Sequence, residues 1–443
     1  MTLQLPEPVS RILLQLTNAG FEAYAVGGCV RDALLGRQPE DWDITTSARP
    51  EQVKALFRRT IDTGIQHGTV TVMQGKEGFE VTTYRVDGEY LDGRHPKQVS
   101  FTPSLSEDLK RRDFTINAMA YHPDAGLIDL FGGAQDLENG VIRAVGVPEE
   151  RFQEDALRIL RAVRFSAQLG FSIEPETLRA VSAFAGRLQL ISRERIRTEL
   201  DKLLKSEHPD QFRLLYETGI TAIVFPRFDQ MMAMPQHNPY HCCTVGEHTL
   251  RMLACTPAES RLRWAALLHD TGKTVTRSTD EKGIDHFYGH GKASAEFART
   301  FLRDLRFDNA TVDAVTTLVR YHDYSFDMTK ANLRRAICRV GEELFPSLLQ
   351  LVQADTLAKS ALARERQLPK LRQLEEMYRE IREAQECTSL RSLAITGRDL
   401  IAAGMEPGPH MGQVLQQLLQ MVLEHPEWNT REILLKRFQE MEL

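Results

Sequence analysis

Two aspartates separated by a single residue are the first side chains in this sequence that could do chemistry. Asp41 and Asp43 stand in the segment EDWDITT, which has the pattern of a β-strand start. Because successive side chains of a strand point to opposite faces, both carboxylates are expected on the same side. Neighbouring carboxylates repel each other unless a cation neutralises them, and such oxygen ligands suit Mg²⁺ together with substrate phosphates. A solvated loop that carries two acids is the alternative.

A third acid and a glycine turn extend this candidate site. Glu80 opens the strand-like run EVTTYRV, and three acids on adjacent strands could hold two metals about 4 Å apart for an in-line displacement. An ordinary acid at a strand edge is the alternative. The segment AYAVGGCVRDALL runs from a strand through Gly27 and Gly28 into a helix that carries Arg31. Such a turn lets a phosphate approach backbone amides, although a plain tight turn has the same pattern.

The segment EDALRILRAVRF, from Glu154 to Phe165, places charged groups at helical spacing. Periodicity predicts one helix with Asp155, Arg158 and Arg161 on its polar side, whereas Arg164 falls nearer the apolar side and is predicted to be structural. A carboxylate accepts hydrogen bonds and a guanidinium donates them. Cytosine and adenine each present an amine donor beside a ring-nitrogen acceptor, while guanine and uracil present a carbonyl beside a ring N–H. Asp155 and Arg158 could therefore accept C and A and reject G and U; a solvated ion pair is the alternative.

Histidines and aspartates recur on the predicted helices of the second half. His248, His269, Asp270 and Asp355 are typical ligands for a divalent metal that activates water. Further ligands or phosphate contacts are predicted at His290 and His322. The alternative is a helical scaffold that has kept this arrangement without hydrolytic activity.

The elements that must position these residues change character along the chain. Short β-rich runs alternate with helices up to about residue 145, and apolar spacing of three and four dominates afterwards. This pattern predicts an α+β fold. The predicted domains are a head over residues 1–145, a helical neck over 146–230, a helical body over 231–360 and a helical tail over 361–443.

Composition limits the classes of protein that this chain can belong to. The chain has 443 residues, 42% of them hydrophobic and 26% charged, and no apolar run long enough to span a membrane. With no signal-peptide pattern at the N-terminus either, a cytoplasmic protein is expected. Six cysteines without metal-finger spacing predict reduced thiols. The net charge of −6 argues against a uniformly basic surface, but residues 151–205 hold nine arginines and two lysines against seven acids, so a polyanion is expected there. The oligomeric state stays open.

Four motifs in order resemble one known family. VGGCVRD, EDWDITT, LKRRDFTINAMAY and EDALRILRAVRF resemble the class II nucleotidyltransferases that add CCA to tRNA, close kin of bacterial poly(A) polymerases. The resemblance implies a polymerase-β-like head followed by a helical neck, a body and a tail. It implies that Asp41 and Asp43 bind catalytic Mg²⁺, and that Asp113 and Asn117 brace the site. Nucleotide-binding roles are implied for Gly28, Arg31, Arg112, Asp155, Arg158, Arg161 and Arg164.

The resemblance also implies an activity. Members add C, C and A to the 3′ end of tRNA from CTP and ATP without a nucleic-acid template and release pyrophosphate. Residues 84–101 resemble the flexible loop of members that add all three nucleotides. The helix SRERIRTEL, from Ser192 to Leu200, and the tail are expected to contact RNA phosphates. A poly(A) polymerase, a relative that adds only CC or only A, and an RNA-binding protein without transferase activity are the alternatives.

The histidine and aspartate order in the body resembles a second family, the HD phosphohydrolases. That resemblance implies a second divalent metal held by His248, His269, Asp270 and Asp355. A metal-dependent HD phosphohydrolase that acts on tRNA ends, with a head that only recognises tRNA, is therefore a further alternative.

Overall fold

The structure, a computed structural model, describes residues 3–87, 99–324 and 328–441. The chain divides into two compact units, Met1–Pro226 and Arg227–Leu443. The α+β class predicted from the sequence is confirmed, with the mixed sheet in the first unit and helices dominating the second. The three boundaries between the four predicted domains stay predictions, although the one between residues 230 and 231 lies close to this division.

A seven-stranded mixed sheet forms the centre of the first unit, in the order β3-β4-β5-β2-β1-β8-β9. Only the β2–β5 pairing is parallel, and the other neighbours are antiparallel. Strand β4 buries alternate residues, as a strand with one covered face should. The strands of this unit are β1 Ala23–Val26, β2 Ile44–Thr46, β3 Thr60–Gly64, β4 Thr69–Gln74, β5 Glu77–Thr83, β6 Arg85–Asp87, β7 Val99–Phe101, β8 Met119–His122, β9 Gly126–Asp129, β10 Val141–Ile142 and β11 Ser172–Ile173.

Helices pack against the sheet, and further helices follow it in the chain. Helix α1 buries an apolar stripe at helical spacing, and Leu109 of α4 packs with Val26 and Ala120 of the sheet. The helices are α1 Glu7–Asn18, α2 Gly28–Leu34, α3 Pro50–Leu56, α4 Leu105–Lys110, α5 Gly133–Asn139, α6 Pro148–Glu154, α7 Leu157–Leu169, α8 Pro175–Phe184, α9 Arg193–Leu204, α10 Phe212–Glu217 and α11 Thr221–Val224. Short 3₁₀ turns lie at Ile65–His67, Thr115–Asn117, Ala185–Leu190 and Pro209–Gln211.

The prediction of a single helix over Glu154–Phe165 is wrong. Helix α6 ends at Glu154 and α7 begins at Leu157, with Asp155 in an extended conformation (φ −138°, ψ 106°). The Asp155 carboxylate accepts a hydrogen bond from the Leu157 amide at 3.0 Å, so it satisfies one of the free donors at the start of α7. Asp155 therefore precedes the helix that carries Arg158 instead of sharing a helical face with it.

The segment predicted as a mobile loop, residues 84–101, is described only at its ends. Strands β6 and β7 pair antiparallel there, from Arg85 opposite Phe101 to Asp87 opposite Val99. Residues 88–98, on which the prediction of complete CCA addition relied, lie outside the described residues.

The second unit is a helical assembly with one small hairpin, β12 Ser278–Thr279 and β13 Asp285–His286. Its C-terminal helices enclose a core of their own, in which Leu418 and Val422 of α22 pack with Leu434 of α23. The helices are α12 Pro226–Ala233, α13 Val245–Cys255, α14 Ser260–Leu268, α15 Lys273–Thr276, α16 His290–Asp304, α17 Asn309–Tyr321, α18 Lys330–Val340, α19 Phe345–Ala358, α20 Ala361–Glu383, α21 Gly397–Ala402, α22 His410–Glu424 and α23 Arg431–Gln439. Further 3₁₀ turns lie at Leu390–Ser392 and Pro426–Trp428.

The fold also bears on two expectations from composition. All six cysteines are free thiols, as their spacing predicted. Within the described ranges, none of the helices combines the length and the apolar character needed to cross a bilayer.

Candidate active site and a second polar cluster

The glycine turn predicted after the first strand is present. Gly27 has φ +86°, a conformation that side chains with a Cβ rarely adopt, and a Cβ there would lie 2.9 Å from an Arg112 guanidinium nitrogen. Helix α2 starts directly afterwards at Gly28. The turn therefore brings Arg112, from a distant part of the chain, against the backbone that leads into α2.

The paired aspartates lie on one side of the chain, as the alternation predicted. Trp42 is buried, whereas Asp41 and Asp43 are exposed to an open cavity of about 1240 Å³. Glu80 lines the same cavity, because the parallel pairing of Ile44 with Val81 places it beside Asp43. The sheet thus brings together the three acids that the sequence singled out.

The electrostatics of this trio fit a bound cation. Burial raises the pKa of Asp43; Arg112 lowers it, and the charges of Glu80 and Asp41 raise it further. All three groups offer carboxylate oxygens, the ligands that Mg²⁺ prefers. Among the described residues, the three carboxylates do not form a group whose ligand atoms all lie within 4.8 Å of one another. A cation would therefore have to draw them together.

A hydrogen-bonded chain of side chains links helix α2 to helix α7. Arg31 donates to Asn117 Oδ1 at 2.7 Å, and Asn117 in turn donates to Asp113 Oδ1 at 3.1 Å. Arg161 Nε donates to the other oxygen of Asp113 at 2.7 Å. Burial raises the pKa of Asp113, but the Arg161 charge and the Asn117 hydrogen bond outweigh it and hold that pKa at about 2. This geometry is consistent with the bracing role implied for Asp113 and Asn117.

Asp155 and Arg158 are each held by partners outside their own turn. The Asp155 carboxylate accepts from both terminal nitrogens of Arg195, at 2.7 and 3.3 Å. Arg158 donates to the backbone carbonyls of Arg111 at 2.8 Å and Arg151 at 3.2 Å and pairs with Glu154. The two groups remain close in the chain, since the Arg158 amide donates to the Asp155 carbonyl at 3.0 Å.

Arg164 has the structural surroundings that periodicity predicted. Its guanidinium lies 3.8 Å from the centre of the Phe165 ring and pairs with Glu199 of α9 at 2.5 Å, with both side chains only 7% exposed. Removing one partner of such a buried pair leaves an uncompensated charge. The nucleotide-binding role implied for Arg164 stays a prediction.

Two residues of this site were missed in the sequence. The segment SRERIRTEL was assigned to RNA phosphates, yet its Arg195 holds Asp155 and its Glu199 holds Arg164. Their spacing of four residues places both on one face of α9, which was a visible signal that they contact the same neighbouring part of the chain. Nothing local identified that neighbour as α7.

The second unit contains the predicted histidine and aspartate cluster. His248, His269 and Asp270 offer ligand atoms that all lie within 4.8 Å of one another, and so do Asp270, His290 and His322. The Asp355 carboxylate is hydrogen-bonded to His248 Nε2 at 2.9 Å. All six predicted residues therefore converge, with Asp270 common to two groups of three.

A further histidine, His241, lies in this cluster and was missed because it stands on a loop before α13. Its ring meets that of His248 edge to face at 5.0 Å. Burial lowers the pKa of His241 to about 2, with Lys273 adding to the effect, so the ring is neutral. An open cavity of about 240 Å³ adjoins the cluster and is lined by His241, Asp270, His290, His322 and Asp355 together with Lys273 and Lys359.

Comparison with known proteins shows which families the chain resembles. Family models match the chain over residues 23–143, described as a Poly A polymerase head domain, and over residues 170–232, described as a probable RNA and SrmB-binding site of polymerase A. A third match, a putative tRNA nucleotidyltransferase domain 2, covers residues 276–438. These matches identify the chain as a nucleotidyltransferase of the poly(A) polymerase and tRNA nucleotidyltransferase class.

Relatives that match over nearly the whole chain identify the family within this class. The chain is 38% identical to a CCA-adding enzyme of Lactiplantibacillus plantarum over 98% of this chain and 96% of that protein, and 39% identical to one of Latilactobacillus sakei over 96% of each. A solved structure of the Bacillus stearothermophilus CCA-adding enzyme in complex with CTP matches with a TM-score of 0.74 and 31% identity, over 98% of this chain and 99% of that one. The chain belongs to the family of CCA-adding enzymes, which confirms the resemblance drawn from the four motifs.

Proposed function

We propose that this protein adds C, C and A in turn to the 3′ end of tRNA from CTP and ATP, without a nucleic-acid template and with release of pyrophosphate. The observation that carries the proposal is the turn between α6 and α7. It holds an acid and a guanidinium, Asp155 and Arg158, each on its own fixed partners, in a chain whose head has three acids along one cavity.

The head residues fit a metal-assisted nucleotidyl transfer. We propose that Asp41 and Asp43 would hold Mg²⁺, with Glu80 beside them; the bound ion would supply Lewis-acid charge neutralisation for phosphoryl transfer. Arg112 lies against the glycine turn, and we propose that its guanidinium donates to the triphosphate. Arg31 is tied to Asp32 and Asn117, which fixes it one turn into α2. These groups orient the nucleotide and stabilise pyrophosphate as it leaves.

Nucleotide choice follows from the donors and acceptors of the α6–α7 turn. Asp155 would accept the exocyclic amine that cytosine and adenine share, and Arg158 would donate to their ring nitrogen. Guanine and uracil would face the same pair with donor against donor and acceptor against acceptor, at a cost of about 1–3 kcal/mol for each buried mismatch. Arg195 is proposed as the positioning residue that keeps the Asp155 carboxylate in place.

An incorporation assay separates this function from its nearest alternatives. Purified protein is incubated with tRNA that lacks its CCA end, with CTP alone, ATP alone, or both. We expect two C residues from CTP alone and a complete CCA end from the mixture. Long tails from ATP alone would instead indicate a poly(A) polymerase, and termination after CC in the mixture would indicate a partial relative.

We propose a second activity for the cluster of the second unit, metal-dependent hydrolysis of a phosphate ester. The specific observation is the way in which three histidines are oriented. The Nδ1 atoms of His269, His290 and His322 lie 2.7–2.8 Å from backbone carbonyls, so Nδ1 carries the proton and the Nε2 lone pair is directed into the cluster. His290 Nε2 and His322 Nε2 lie 3.2 Å apart. Two lone pairs at this distance repel each other unless a metal or a shared proton lies between them.

Asp270 adds to the fit of a divalent metal. Neither of its buried oxygens makes a hydrogen bond of good geometry, although Lys273 Nζ and His269 Nε2 lie 2.8 and 3.0 Å from Oδ2. His248, His269, Asp270 and Asp355 would hold one metal, and Asp270 with His290 and His322 would contribute to a second. A metal held by these residues would supply a water nucleophile at neutral pH.

Metal content and hydrolysis test this second activity independently of the head. Protein loaded with Mn²⁺ is expected to retain bound metal after desalting and to hydrolyse bis(p-nitrophenyl) phosphate. We expect His269→Ala to lose both properties, because it removes a ligand, and Asp41→Ala to lose nucleotide incorporation only. His410→Ala, an exposed histidine of the same unit, is the matched control. Equal metal content in the His269→Ala variant and the unmodified protein would exclude the proposed site.

A further inference from the structure

Two neighbouring cysteines lie on the loop that leads into α13. Cys242 is exposed and Cys243 is partly buried. Arg251 of α13 donates from Nη1 to the Cys242 sulfur at 3.0 Å. Reactive cysteines are found in electropositive and partly exposed surroundings of this kind. The pair therefore combines an accessible sulfur with a positive group in contact with it.

The two thiols also contact each other. Burial raises the pKa of Cys243 to about 11; the Arg251 charge lowers that pKa, and the charge of Cys242 and its hydrogen bond to Cys243 raise it further. Cysteines that are adjacent in a chain have Cα atoms only about 3.8 Å apart, which is shorter than the usual range for a disulfide. A bond between them is therefore strained, and strained or exposed disulfides are readily reduced again.

The loop that carries the pair is tied to the histidine–aspartate cluster. His241 of the cluster directly precedes the pair in the chain. Gln236 is buried, donates from Nε2 to the Cys243 carbonyl at 3.3 Å and accepts from Lys273 Nζ at 2.8 Å. The same ammonium group lies 2.8 Å from Asp270 Oδ2. A change in the backbone at the pair would therefore reach Asp270 through two side chains.

We propose that Cys242 and Cys243 are a reversible redox modification site, which hydrogen peroxide converts to a disulfide. In the first step the Cys242 sulfur attacks the peroxide; the O–O bond breaks, an S–O bond forms, and the thiol proton leaves in a water molecule. In the second step the Cys243 sulfur displaces the new hydroxyl group, which takes the Cys243 proton and leaves as a second water. The pair gives up two hydrogen atoms in all, and a thiol reductant restores them.

Peptide mapping of peroxide-treated full-length protein by mass spectrometry tests the modification. The peptide that contains both cysteines is expected to lose two hydrogen atoms, to resist alkylation, and to regain both thiols with dithiothreitol. Cys255, an exposed cysteine of the same unit with no cysteine beside it in the sequence, is the internal control and is expected to remain open to alkylation. Cys243→Ser should stop the reaction at the Cys242 sulfenic acid, which dimedone traps.

The role of the guanidinium is tested by Arg251→Met. We expect oxidation of the pair to slow by at least about threefold, because the positive group beside the attacking sulfur is lost. An unchanged rate in this variant would overturn the role given to Arg251. Oxidation of Cys255 as fast as the pair, or a pair that stays fully open to alkylation, would overturn the modification site itself.

The disulfide is also expected to act on the cluster, a consequence that rests on the second activity proposed above. Protein that has been oxidised and desalted should bind Mn²⁺ about tenfold more weakly than reduced protein, as when a group that positions a metal ligand is disturbed. Cys242→Ser treated in the same way should bind Mn²⁺ as the reduced protein does. Equal affinities of oxidised and reduced protein would overturn this consequence. Reduced protein that binds no Mn²⁺ would overturn the second activity instead, and the mapped disulfide would still establish the modification site.

Discussion

Replacing Asp43 with asparagine is expected to lower nucleotide incorporation by about three orders of magnitude. The substitution keeps the shape of the side chain and the backbone carbonyl that accepts from the Val26 amide at 3.0 Å. It removes one of the two charges proposed to hold Mg²⁺, and a catalytic metal supplies several kcal/mol of transition-state stabilisation. The measurement is the single-turnover rate of CTP addition to tRNA that lacks its CCA end.

The matched control is Asp124→Asn in the turn between β8 and β9. This turn joins two strands of the same sheet, and the Asp124 side chain is 93% exposed and does not line the acidic cavity. We expect this variant to incorporate CTP at the unmodified rate. A rate for Asp43→Asn within tenfold of the unmodified protein would rule out a metal role for this carboxylate.

The second large effect is expected on nucleotide choice. Asp155→Ala and Arg158→Ala should each reduce the preference for CTP and ATP over UTP and GTP by about 10–100-fold, since each removes one side of the donor–acceptor match. Binding of tRNA should change little, because neither side chain is assigned to RNA. The measurement is kcat/KM for each of the four nucleotides, with tRNA affinity determined separately.

Arg195 offers a sharper test of the same idea. Arg195→Met removes the two nitrogens that hold the Asp155 carboxylate but leaves Asp155 itself in place. If the position of that carboxylate decides the choice of base, this variant should lose selectivity in the same direction as Asp155→Ala. Arg179→Met, whose side chain is 73% exposed on α8, should leave selectivity unchanged. If Asp155→Ala and Arg158→Ala kept the unmodified ratios of kcat/KM among the four nucleotides, the proposed base recognition by these side chains would be refuted.

Local rules were sufficient for several features of this protein. The change from period two to spacing of three and four predicted the α+β class, because both patterns follow from side-chain geometry within one element. The same reasoning placed Asp41 and Asp43 on one side of the chain and a glycine turn before α2, and the structure has both. The histidines and aspartates of the second cluster were also identifiable by residue type, although their roles as metal ligands stay predictions.

Long-range packing determined the features that local rules did not predict. Helix-forming residues on both sides of Asp155 predicted a continuous helix, yet a partner 40 residues away, Arg195, holds that carboxylate outside it. The pairing of β2 with β5 put Glu80 beside Asp43, and loop packing brought His241 to the cluster. The sequence by itself determined most of the side chains that are chemically able to act, and for several of them the element that carries each. Only the tertiary structure decided which of them meet, because such contacts depend on the register and packing of elements far apart in the chain, about which local periodicity holds no information.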